Sequence, residues 1–355
     1  MSTDRDTLKA AIHERLKTVN DPELHRSLVD LGMVKGCDVT DDNRAKLKIE
    51  LTTPACPMKG KIREDIEGAL RDLNLKGVDI EFTADVTKRA AAGLGEKKEV
   101  PGARNVLVVG AGKGGVGKST VAVNLALALR QHGAKVGLLD ADIYGPNVPL
   151  MMGISTRPEV KDDKIVPLEA LGLQVMSIGF LLNEDTPVIW RGPMLHTAIG
   201  QFLFDVAWEG LDYLIVDLPP GTGDVQLSMS QRVPVTGAVV VATPSLAAIQ
   251  DVRKAIQMFH TLKIPLLGVV ENMSGEIFGT GEVEKMAERY KVPFLGSVPL
   301  DSRVRVGGDT GKPLQVTEPD SPISKTFHGI AANLAGQVSI VNYASQGEGL
   351  VQIKV

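Results

Sequence analysis

The residues with the clearest chemical potential lie in one run, Gly112-Lys113-Gly114-Gly115-Val116-Gly117-Lys118-Ser119-Thr120. Its spacing is G-x-x-x-x-G-K-[ST], a pattern that holds the phosphates of a nucleotide. Glycines let backbone amides wrap an anion with no Cβ in the way. Lys118 then supplies charge to the β and γ phosphates, and the Ser119 hydroxyl is placed to ligate Mg²⁺. All nine residues, Gly112 to Thr120, are therefore expected to bind ATP. Three carboxylates complete the set: Asp140 and Asp142 follow one apolar run, and Asp217 follows another. Phosphoryl transfer needs positioned charge more than covalent chemistry. Asp217 is expected to back the Mg²⁺ ligands, Asp140 to lie near the metal, and Asp142 to orient or deprotonate the attacking water. Gly221 and Gly223, beyond Asp217, suggest a hinge that senses the γ-phosphate. Lys113 sits early in the loop, where its long side chain can neutralise transition-state charge across a dimer interface, as an arginine finger does. This predicts an ATP-dependent homodimer.

The elements that must position these residues follow from the flanking pattern. Residues 106–109 form a β-branched run suited to a buried parallel strand, and residues 121–129 have the composition of a buried helix. The glycine-rich turn then opens a helix, where unpaired amides and the helix dipole favour phosphate. Gly110, Gly112 and Gly115 also spell G-x-G-x-x-G, with Asp140 as a ribose-binding acid. That dinucleotide reading leaves Lys118, Ser119 and Asp142 without a purpose. From residue 104 onward strands and helices alternate, with strands expected at 106–109, 136–139, 213–216, 238–242, 266–270 and 294–298. Helices are expected at 118–130, 194–206, 247–260, 282–290 and 322–338. The fold class is α/β, a P-loop NTPase with a mainly parallel sheet covered by helices on both faces, preceded by a small α+β domain. Ligands gather at the carboxyl ends of such strands, so Asn272, Pro299 and Asp301 are placed to bracket a base.

Residues 1–87 read as the small domain. Leu8, Ile12, Leu16 and Val19 share a helical face; 28–39 is strand-like; Ala45, Leu47, Ile49 and Leu51 alternate with charged residues. Residues 88–103 lack periodicity and read as a linker, 104–341 as the ATPase domain, and 342–355 as a flexible tail. With 43% hydrophobic and 23% charged residues, the 355-residue chain has an ordinary globular composition. A net charge of −4 argues against nucleic-acid binding, and no apolar run reaches membrane-spanning length. Two cysteines, Cys37 and Cys56, and no signal peptide point to a reducing compartment, the cytoplasm.

Lys113-Gly-Gly-Val-Gly-Lys-Ser resembles the deviant Walker A motif of the MinD, ParA and nitrogenase iron-protein class. Asp140-Ala-Asp-Ile-Tyr-Gly-Pro-Asn, Trp190-Arg-Gly-Pro-Met and Asp217-Leu-Pro-Pro-Gly-Thr-Gly-Asp are similar to the Mrp/ApbC branch, ATPases that carry iron-sulfur clusters to apoproteins. Residues 5–86, with Asp21-Pro-Glu and Leu51-Thr-Thr-Pro-Ala-Cys-Pro, resemble the small iron-sulfur assembly domain often fused in front of that ATPase. The resemblance implies Mg²⁺-dependent ATP hydrolysis, a homodimer, and partners among apoprotein clients and iron-sulfur assembly proteins. It also implies base contacts by Asn272, Pro299 and Asp301 and the trans role of Lys113; Arg191 lies in a family motif without a derived role. The chain departs from the family after Asn272-Met273-Ser274. There the family usually has a Cys-Pro-x-Cys pair that bridges a cluster between subunits, and this chain reads Gly275-Glu-Ile-Phe-Gly-Thr-Gly281. A cluster is normally held by four thiolates, so Cys56, which sits where the small domain's family has its cysteine, is the one candidate iron-sulfur ligand. The alternative function is a MinD/ParA-like positioning ATPase, or a nucleotide-gated adaptor that binds no cluster.

Overall fold

Alternating apolar residues turn the first part of the chain into a sheet covered on one side. The computed structural model describes residues 2–87, 97–181, 192–221 and 223–345, and the chain divides into two units, Met1–Thr87 and Lys88–Val355. In the first unit, helix α1 (Ser2–Leu16) precedes strands β1 (Val34–Val39) and β2 (Arg44–Leu51), helix α2 (Lys59–Leu70) and strand β3 (Gly77–Ala84). The sheet order is β1-β2-β3, antiparallel then parallel. Ala45, Leu47, Ile49 and Leu51 face Ile12, Leu16, Ile62 and Ile66 in one apolar cluster, as strand and helix periodicity require. The strand expected at 28–39 begins only at Val34. Ser27 bends the preceding stretch by accepting the Val29 amide at 3.2 Å, and Gly32 takes a φ of +65°.

The second unit runs β4 (Ala103–Gly110), α3 (Lys118–Gln131), β5 (Val136–Asp140), α4 (Val148–Met151), a small hairpin of β6 (Val160–Lys161) and β7 (Lys164–Ile165), β8 (Leu168–Ala170) and β9 (Leu173–Ser177). It continues through α5 (Gly192–Phe204), β10 (Leu211–Asp217), α6 (Asp224–Arg232), β11 (Gly237–Ala242), α7 (Leu246–Thr261), β12 (Leu266–Ser274), α8 (Glu282–Tyr290), β13 (Phe294–Pro299), α9 (Ser302–Asp309), α10 (Leu314–Thr317) and α11 (Pro322–Ser345). Eight strands form one sheet in the order β13-β12-β11-β4-β10-β5-β9-β8, parallel except for β8.

That order positions the site. The chain leaves β4 toward β5 on one side, and later returns from β10 to β11 on the other. Right-handed crossovers therefore send α3 to one face and α6, α7 and α8 to the other. The contacts agree: α3 packs on α11, α5 on α6, and α7 on α8. The reversal falls at β4, whose carboxyl end carries the glycine-rich turn, the place where open sheets bind ligands. The tail expected from 342 starts instead inside α11. Asn342 is fully buried and donates to Asn105 Oδ1 at 2.8 Å, which holds the last helical turn. Residues 346–355 lie outside the described residues.

Candidate functional site

Residues 106–110 of β4 are buried throughout, as a central parallel strand demands, and the chain emerges from it directly into the turn. At two positions this turn has no room for a side chain. Gly117 has a φ of +77°, and a Cβ there would stand 2.3 Å from the side-chain amide of Asn272. At Gly112 a Cβ would stand 2.2 Å from the backbone oxygen of Asp251 on α7. A cavity of about 380 Å³ opens over the turn, lined by Lys113, Gly114, Gly115, Gly117 to Thr120, Asp142, Tyr144 and Pro220 among others.

Lys118 is the electrostatic centre. It is only 6% exposed, and its ammonium lies 2.5 Å from Asp217 Oδ1, 3.4 Å from Asp142 Oδ2 and 3.2 Å from the Ser119 hydroxyl. β10 sets Asp217 opposite Asp140 at the end of β5 and opposite Val109 in β4. Burial pushes both carboxyls upward: Asp140 to about 7, with the Asp217 charge adding to burial, and Asp217 against the opposing Lys118 ammonium. One oxygen each of Asp142 and Asp217, Oδ1 and Oδ2 respectively, is buried without a hydrogen-bond donor among the described residues. Buried acceptors normally have partners. Two orphaned carboxylate oxygens near a serine hydroxyl form the hard-oxygen donor set that suits Mg²⁺, so the residues fit that ion.

Asp140, opposite Asp217 at the strand end, spends its oxygens on the protein itself. Its Oδ1 accepts the Asp142 amide at 3.1 Å, and its Oδ2 accepts the Val148 amide at 3.1 Å and the Ser177 hydroxyl at 3.0 Å. With both oxygens engaged inside the protein, Asp140 ties the loop bearing Asp142 to α4 and β9. Asn272 is also used internally, since its amide donates to Val116 O at 2.8 Å and so fixes the turn. Pro299 ends β13. Asp301 caps α9 through the Arg303 amide and pairs with the Arg303 guanidinium, which holds its carboxyl below the usual range. None of these last three lines the cavity as it stands.

Gly275 and Gly279 exchange backbone hydrogen bonds of 2.8 and 2.7 Å, closing the turn where the resemblance would place a cysteine pair. Ile277, at 77% exposure, stands at its tip. Glu271, fully buried, fastens the far end of this turn by accepting the Gly281 and Val283 amides and the Ser297 hydroxyl. Cys56 lies in the first unit, before α2, and burial pushes its thiol up to about 12 even though the Met58 and Lys59 amides oppose the shift. Among the described residues no group of three or more His, Cys, Asp or Glu could hold a metal ion. Trp190, Arg191 and Thr222 lie outside the described residues. Ser177 and Glu271 escaped the sequence reading; the one available signal was an isolated acid inside the apolar run of β12.

Comparison with known proteins finds relatives for both parts of the chain. The family described as NUBPL iron-transfer P-loop NTPase matches residues 102–335, and the family described as iron-sulfur cluster assembly protein matches residues 9–82. An iron-sulfur cluster carrier protein of Deinococcus radiodurans is 49% identical over 93% of this chain and 95% of its own length. Its counterpart in Synechocystis is 44% identical over 92% of this chain and 96% of its own length. Among solved structures, a nucleotide-binding protein from Archaeoglobus fulgidus in complex with ADP is 38% identical, with a TM-score of 0.54 over 63% of this chain and 92% of that one. The cell division ATPase MinD of Pyrococcus furiosus shares the fold at a TM-score of 0.52 and 24% identity, over 64% of this chain and 97% of that one. The chain therefore belongs to the NUBPL-type iron-transfer P-loop NTPase family, with an iron-sulfur cluster assembly segment ahead of its P-loop domain.

Proposed function

We propose that the protein is a Mg²⁺-dependent ATPase that carries iron-sulfur clusters to apoproteins, acting as a homodimer in the cytoplasm. The observation that carries the ATPase part is the Lys118 ammonium held between Asp217 and Asp142 beside two donor-starved carboxylate oxygens. Nucleotide phosphates attract Lys118 away from its carboxylates, and the amides of Gly114 to Ser119 take the phosphate oxygens. Ser119, Asp142 and Asp217 would hold Mg²⁺, which would neutralise the charge that develops on the phosphates. Asp142 accepts a proton from, or orients, the attacking water, and Asp140 fixes the backbone that carries it. Lys113, at the mouth of the cavity, serves the γ-phosphate of a second copy.

The carrier part rests on the two family matches and on relatives named for that role. One observation favours a second reading. The 275–281 turn has no thiol and the Cys56 thiol is held protonated by burial, which suits a nucleotide-gated adaptor whose cluster ligands come from a partner. Anaerobic reconstitution with iron and sulfide separates the two. The carrier gains visible absorbance that Cys56→Ser loses and passes the cluster to an apoprotein; the adaptor stays colourless while ATP turnover with Mg²⁺ continues.

A further inference from the structure

The loop after Asp217 is held from both ends. On one side the Gly221 amide donates to Ala111 O at 2.9 Å, joining it to the start of the phosphate turn. On the other, Gln226 from the first turns of α6 places one nitrogen between two carbonyls, donating to Pro219 O at 2.9 Å and to Gly221 O at 3.0 Å. Between these anchors Pro220 lines the phosphate cavity, and a Cβ on Gly114 would stand 3.9 Å from its ring. Gln226 is 1% exposed, so both hydrogen bonds form away from water, where they hold geometry tightly. Its Oε1 is buried and has no donor among the described residues. A buried acceptor left unpaired is unfavourable, so a side chain that uses only its nitrogen is kept there for what the nitrogen grips.

We infer that Gln226 is a positioning residue for hydrolysis: by gripping Pro219 and Gly221 it sets Pro220 and the Gly221 amide against the phosphate turn and so shapes the end of the cavity that receives the γ-phosphate. This rests on the ATPase reading. Gln226 touches neither the phosphate amides nor Lys118, so it acts on turnover rather than on holding the diphosphate. A displacement of about 1 Å in such a supporting group changes turnover by orders of magnitude while ground-state binding is kept.

The experiment is steady-state ATP hydrolysis with Mg²⁺ on the full chain, comparing the parent with Gln226→Met and Gln226→Glu, alongside ADP affinity by fluorescence titration. Met keeps the volume without a donor, and Glu sets a carboxylate oxygen against two carbonyls. The expected result is a kcat lowered about tenfold or more in Gln226→Met and further in Gln226→Glu, with KM for ATP and affinity for ADP within about twofold of the parent. A parent that turns over ATP and a Gln226→Met variant that matches it overturn the inference alone. Loss of ADP affinity in step with kcat also overturns it, because the residue would then act only through the integrity of the fold. A parent without turnover overturns the ATPase reading and this inference together.

Discussion

Lys118→Met tests the electrostatics of the site before any nucleotide is added. In the parent, the ammonium is the cation that balances Asp217, which is fully buried, and Asp142, which is 7% exposed. Removing one partner of a buried ion pair leaves an uncompensated charge and costs about 3–5 kcal/mol. With a urea dependence of about 3 kcal/mol per molar, the unfolding midpoint should fall by about 1 M or more near pH 8. Both tryptophans, Trp190 and Trp208, belong to the second unit, so their fluorescence reports its unfolding without interference from residues 1–87. The deficit should shrink as the pH is lowered. Burial already raises the Asp217 carboxyl against the opposition of Lys118, and without that opposition the carboxyl takes up a proton and the buried charge disappears. A variant as stable as the parent at pH 8, or a deficit that does not shrink as the pH is lowered, would refute the claim that Lys118 balances buried carboxylates.

Other outcomes are expected. Gly117→Ala forces an L-residue into a left-handed φ and drives its Cβ into the Asn272 amide, so strain of about 1–2 kcal/mol adds to the loss of the Asn272 to Val116 bond; ATP affinity should fall at least about tenfold by titration. Asp140 has a folded value of about 7 against a usual 3.8, so the folded state binds its proton more tightly and this group's contribution to stability falls as pH rises from about 4 to about 7. Asp140→Asn removes that slope: urea titrations should find the parent's advantage over the variant larger at pH 5 than at pH 8. Lys113→Ala should lower ATP turnover at least about tenfold while ADP binding stays near the parent's; turnover equal to the parent's would end the trans role.

The main sheet was legible because its parallel strands are continuous apolar runs ending in chemically distinctive residues. The run through Val109 leads to the glycines, that through Leu139 to Asp140, and that through Val216 to Asp217. β8 and β9 were not legible: three and five residues long, they sit in a stretch with a hairpin, and only the pairing of β9 with β5 and of β8 with β9 makes them strands. At the site, spacing identified which residues gather but not which atoms they spend. Asp140 reads like a metal-side acid, yet its oxygens are consumed by Asp142, Val148 and Ser177, and only the register between β5 and β9 brings Ser177 there. Likewise Asn272 reads as a base contact, and its grip on Val116 spans 156 positions of sequence.

Adjacent positions on a strand project to opposite faces, and at the end of β12 this alternation sends Glu271 toward the start of α8 and Asn272 toward Val116. The short segment from Gly275 to Gly279, closed upon itself by its glycines, thus hangs between moorings that do not depend on what it contains. Its length and chemistry can change, thiols included, while the triphosphate cradle keeps its shape. The content of this turn and the geometry of the glycine-rich turn are in this sense separately replaceable parts of one strand end.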